Sequence, residues 1–217
     1  MLPVWFLNIA IVIRLLGGAG YVVAVLRGKA KPNPVTWFFW GLTPMLAFAA
    51  QVSEGVGPQA CVTFALGIGP LAVFCLSLTR GHHAPMSFAP STIACGILAA
   101  LGIVLWQTTS DPTLAIVFSI LADIAASVPT LMKAYHKPGT EYGLTYLLSM
   151  ISMVITLLTI THWTFGRYAF PIYIFFINLS LFSLVQSKVG ARRWYRPGIK
   201  KSKLTSARLK TKRLVRA

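Results

Sequence analysis

Arg27–Trp37 reads RGKAKPNPVTW and Lys133–Tyr146 reads KAYHKPGTEYGLTY, and these two basic loops decide the fold. Each follows one apolar run and precedes another. A shift of 106 residues carries Lys31-Pro32 onto Lys137-Pro138, Arg27 onto Lys133 and Val22 onto Val128. Three extra residues in the second loop then bring Val35-Thr36-Trp37 onto Leu144-Thr145-Tyr146. Two loops of one design, placed alike between apolar runs, point to an internal repeat.

Working outward from these loops gives seven apolar spans. A helix needs roughly 20 mostly apolar residues to cross the hydrocarbon core. The expected spans are Pro3–Leu26, Val35–Gln51, Pro58–Leu78, Ser91–Gln107, Pro112–Lys133, Tyr142–Thr161 and Arg167–Val185. Three spans per unit is an odd number, so tandem units would lie in opposite orientations. The single span Ser91–Gln107 restores the orientation and makes the repeats parallel about an axis normal to the membrane. The expected fold is an all-α membrane protein with seven transmembrane helices, two three-helix repeats joined by a linker helix (3+1+3). The corresponding segments are 1–81, 82–110 for the linker loop and helix, 111–187, and a basic tail 188–217.

Composition agrees. The chain of 217 residues is 56% hydrophobic and 11% charged, with a mean hydropathy of +0.70. Soluble domains carry about 25% charged residues, so this surface belongs in lipid. Of 20 basic residues, 12 follow Gln186, and the net charge of +16 is mostly a property of the tail. Cys61, Cys75 and Cys95 lie in or beside apolar spans with no CxxC pair, which suits buried packing and not a disulfide or metal site. The start, Met-Leu-Pro-Val-Trp, lacks a positive n-region and a small-residue cleavage site, so it reads as a retained first helix.

The loops set the orientation. Arg27, Lys29, Lys31, Arg80, His82, His83, Lys133, Lys137 and the tail follow the odd-numbered spans, whereas Glu54, Asp111 and Arg167 lie at the other end. The positive-inside rule puts the N-terminus outside and the C-terminus in the cytoplasm. Trp5, Trp37, Trp106 and Trp163 fall near span ends, where interfacial aromatics belong.

On this layout the chain resembles the PQ-loop superfamily, which includes the SWEET sugar facilitators, lysosomal amino-acid exporters and KDEL receptors. The resemblance covers residues 3–186. It is carried by Pro129-Thr130, then Lys133 and Lys137, at the end of the first helix of the second unit, with Val23-Ala24 at the equivalent place in the first. It implies a small-solute transporter, for a sugar or an amino-acid-like polar solute, in which two three-helix units alternate access. It also implies a hinge at Pro129 and a substrate contact at Asn178. Gly67, Gly69 and Ala72 stand where the partner asparagine would fall, and the sixth span has no tryptophan.

Several residues compete for functional and structural readings. Arg14 and Asp123 lie mid-span, where a charge costs about 2.5–3.5 kcal/mol on insertion scales. They either line a polar path or pair with each other across the two units. Asn178 offers a donor and an acceptor to a solute, or an interhelical hydrogen bond. Trp37, Trp40 and Tyr146 either stack on a solute or anchor helices at the interface. Pro129 is a hinge or a passive kink, since it removes a backbone donor. Ala94, Gly96, Ala99, Ala100 and Gly102 make the fourth span a packing linker.

No HExxH, GxSxG or intramembrane pair of aspartates is present, so neither an enzyme nor a cofactor is expected. The implied partners are a small-molecule solute and, along the tail, anionic lipid headgroups, with a homo-oligomer left open. The tail offers no folded domain for nucleic acid. The alternative to a transporter is a non-transporting membrane receptor or scaffold protein of the same fold.

Overall fold

The computed structural model describes residues 1–80 and 90–187. They form α1 (Phe6–Leu26), α2 (Pro34–Ser53), α3 (Gln59–Arg80), α4 (Pro90–Thr109), α5 (Pro112–His136), a 3₁₀ turn (Pro138–Thr140), α6 (Gly143–Leu158) and α7 (Phe165–Ser187). Every expected span is a helix, with ends within a few residues of those expected. Among the described residues there is no strand. Helices α1, α2, α3, α5 and α7 are long and apolar enough to cross a membrane, the pattern of a multi-pass integral membrane protein. The apolar part of α4, Gly96–Thr109, and α6 are shorter. At 16 residues, α6 rises about 24 Å against a hydrocarbon core of about 30 Å. His82, His83 and the basic tail lie outside the described residues.

Local chemistry explains the helix ends. The Asn33 side chain accepts from the Val35 and Thr36 amides, with Pro34 opening α2. The Asp111 side chain accepts from the Thr113 amide at 2.8 Å, with Pro112 opening α5. Both satisfy orphan donors of a first turn with the residue types that do so best. Helix α1 stops because Gly28 takes φ +67°, a left-handed conformation that glycine adopts without a Cβ penalty. Ala134 occupies the place in the sequence that matches Gly28 after the 106-residue shift, and α5 runs on to His136. The three extra residues inferred for the second loop fall after Pro138, which opens the 3₁₀ turn.

Helix packing closes a ring. Helix α1 packs on α3, α3 on α2, α2 on α5, α5 on α7, α7 on α6, and α6 back on α1. Exchanging α1, α2 and α3 for α5, α6 and α7 leaves this cycle unchanged. Helix α4 lies outside it, mainly against α5, where Ala99 meets Ala122 and Ala126. That is the packing role its small residues suggest.

Small polar residues share the interior with the apolar core, and large apolar ones face outward. Thr36, Thr43, Ser119, Ser127, Thr130, Ser149, Ser152 and Thr156 are buried, while Leu121, Ile124, Val128 and Met132 form an exposed apolar stripe along α5. Outward apolar faces of this extent need lipid or a partner. Cys61 and Cys75 are exposed on α3, which corrects the expectation of buried packing. A thiol is weakly polar and tolerated on an apolar outer face.

A cavity at the centre of the helix ring

One cavity, about 450 Å³ of empty space counting its opening to solvent, takes its wall from all six ring helices and, among the described residues, none of it from α4. Arg14, Trp37, Trp40, Asp123, Tyr146 and Asn178, each singled out from sequence, all line it. Pro129 does not; α5 continues through it. Prolines of two other helices, Pro44 and Pro70, do border the cavity.

Asp123 sits on α5 with 2% of its surface exposed. Its Oδ1 is 2.5 Å from the Thr43 hydroxyl on α2, and its Oδ2 is 2.5 Å from the Tyr173 hydroxyl on α7. One turn on, Ser127 donates to the Asp123 carbonyl and accepts from Trp40 Nε1 at 2.9 Å. The carboxyl thus joins three helices through neutral hydroxyls.

Arg14 does not pair with Asp123. It is 7% exposed, and its Nη2 donates to the Leu66 carbonyl on α3 at 3.4 Å. Leu66 is free to accept because Pro70, four residues on, has no N–H to return to it. Asp123 takes its hydrogen bonds from Thr43 and Tyr173 instead, so the ion pair considered from sequence does not form.

Trp37 and Tyr146 are 2% and 1% exposed, so they are cavity wall and not interface anchors. Trp37 packs on Tyr21 with ring centroids 4.2 Å apart and meets Trp40 edge-on. The outward tryptophans Trp5 and Trp163 keep the interfacial exposure expected of them. Asn178 Nδ2 donates to Ile174 of its own helix at 2.8 Å, which is not the interhelical bond considered from sequence. Its amide edge still borders the cavity.

Beyond the aromatic end lies a cluster that sequence reasoning passed over. Glu141 accepts from Tyr21 at 2.9 Å and Tyr146 at 2.7 Å, and pairs with Lys133 at 2.6 Å. Lys133 also donates to the Lys31 carbonyl, and the Lys31 amide donates to Thr140. The two basic loops therefore touch through the Lys31 backbone, beside one buried acid. An acid inside a lysine-bearing loop was the available signal.

At the opposite end the cavity is bounded by an apolar layer that includes Leu7, Leu66, Met153, Phe170 and Ile174. Neighbouring halves are stitched on the other side of the ring by Thr145, which donates to the Gly17 carbonyl at 2.6 Å, and Ser152, which donates to Ala10 at 2.9 Å.

No family model, curated protein or solved structure matches this chain.

Proposed function

We propose that the chain is a small-solute membrane carrier in which two three-helix units move against each other about the central cavity. On this reading α1–α3 and α5–α7 are the units, α4 is the linker, and all seven helices cross the bilayer in a 3+1+3 layout of the PQ-loop type. The N-terminus lies outside and the C-terminus in the cytoplasm, by the distribution of lysine and arginine.

The observation that carries this proposal is the convergence of all six ring helices on one cavity holding the intramembrane charges Arg14 and Asp123. Charged groups at that depth mark solute or ion paths by default. The exchange-symmetric helix cycle supports two equivalent moving bodies. Glu141 with Lys133, Tyr21 and Tyr146 would then be the cytoplasmic closure, and the apolar layer around Leu7 and Phe170 the outer one. Pro129 would act as a hinge in α5, and the basic tail would rest on anionic headgroups. No catalytic step is proposed.

Purified protein in liposomes tests this. Wild type should exchange at least one labelled solute from a panel of sugars, amino acids and small carboxylates. Filling the cavity with Ser149→Trp should abolish that exchange. No exchange of any panel member would favour the second reading, a non-transporting receptor or scaffold. That reading draws on Asp123, whose closure by Thr43 and Tyr173 is the geometry of a structural tie.

A further inference from the structure

Arg14 is a cation without an anion. A guanidinium carries five N–H donors, yet the bond to Leu66 is its one hydrogen bond, and at 3.4 Å it is long. Its Nε is buried without a partner. The four acids of the chain are all accounted for elsewhere. Glu141 belongs to Lys133, Tyr21 and Tyr146, and Asp123 to Thr43 and Tyr173. Asp111 caps α5, and Glu54 lies at the far end of α2. Removing a charge from water without a counter-charge costs several kcal/mol, and Arg14 borders the central cavity.

Resting on the carrier reading, we infer that the solute is a small organic monocarboxylate whose carboxylate is received by Arg14. A planar carboxylate matches the guanidinium fork and takes two parallel hydrogen bonds. The rest of the wall fixes the remainder of the molecule. Leu66, Ile174, Ile177 and Leu181 offer apolar contact, and Ser149 and Asn178 offer a few polar groups. Asp123 is the one acid on this wall, and its two oxygens accept from the Thr43 and Tyr173 hydroxyls, so an ammonium group would meet no carboxylate free of protein partners.

The test compares matched pairs on the full chain in lipid nanodiscs, read by tryptophan fluorescence from Trp37 and Trp40 and by melting temperature. Butyrate, lactate and 2-oxobutyrate are set against butanamide and lactamide, with chloride, glucose and alanine alongside. The carboxylates should bind and stabilise, and the amides should bind roughly tenfold more weakly or not at all. Arg14→Gln should lose roughly tenfold or more in carboxylate affinity, and Arg14→Lys should recover part of it, because charge returns without the fork. The wild-type pairs need no variant, so a misfolded Arg14→Gln leaves the test intact. Equal effects of carboxylate and amide, or the same effect from chloride alone, would overturn the inference. Glucose or alanine binding and exchanging while carboxylates stay inert would overturn it and leave the carrier standing. No binding and no exchange by any of them would end both.

Discussion

Pro70 leaves the Leu66 carbonyl without its helical donor, and Arg14 from α1 takes that carbonyl at 3.4 Å. A helix break on α3 thereby becomes the anchor for the buried cation on α1. Replacing Pro70 with alanine would restore an N–H that reaches back to Leu66 and compete with Arg14 for it. The expected outcome is a guanidinium more dependent on an external anion. The melting-temperature rise on adding butyrate should be larger in Pro70→Ala than in wild type, and an unchanged rise would contradict this coupling.

Asp123 accepts from hydroxyls on two different helices, so its carboxyl is a tie as well as a wall. In Asp123→Asn one oxygen becomes an NH₂ donor and faces a hydroxyl that had been donating. We expect a loss of roughly 1–3 kcal/mol, seen as a lower melting temperature with expression retained. Tyr173→Phe should cost about 1 kcal/mol and be less than additive with Asp123→Asn, because the two share one interaction.

Glu141 and Lys133 form a nearly buried pair, their side chains 0% and 14% exposed. Glu141→Gln would strand the Lys133 ammonium among tyrosines and a carbonyl. The expected cost is roughly 3 kcal/mol, and the double variant Glu141→Gln with Lys133→Met should recover part of it. Since this cluster bounds one end of the cavity, Glu141→Gln should also raise cavity accessibility from the side bearing the lysine loops.

Gly17 lets α1 approach α6. A Cβ there would lie 3.2 Å from the Leu148 Cβ and 3.4 Å from the Thr145 carbonyl oxygen. Gly17→Val should therefore push the helices apart, weaken the Thr145 bond to the Gly17 carbonyl, and cost roughly 1–3 kcal/mol. Thermal unfolding in detergent measures it.

Helix positions were legible because length, hydropathy and the two KP loops carry them. So was part of the cavity's lining. Arg14, Asp123 and Asn178 are polar residues deep in apolar spans, and such residues turn inward. Trp37, Trp40 and Tyr146 stood out as aromatics near the starts of the second and sixth spans. What stayed hidden was who touches whom. These helices are apolar on nearly every face, so periodicity says little about facing, and neither Thr43 nor Tyr173 stands out as a partner for Asp123. The Arg14–Asp123 pair looked natural from charge alone, but Asp123 turns to two hydroxyls and Arg14 to a proline-freed carbonyl that meets only part of its hydrogen-bonding capacity. Glu141 was seen only as a loop acid, since burial of a loop residue between two tyrosines leaves no mark in local sequence.

The most direct measurement is the two-sided accessibility of position 149. Ser149 lines the cavity, is 2% exposed and tolerates a thiol of similar size. Ser149→Cys, in a chain with Cys61, Cys75 and Cys95 replaced by serine, would be treated with an impermeant thiol reagent in vesicles of each orientation. A cavity that alternates between the two sides should be labelled from both, with butyrate slowing the reaction from each. Labelling from neither side in a folded protein would contradict the account and make the cavity a sealed feature of a scaffold.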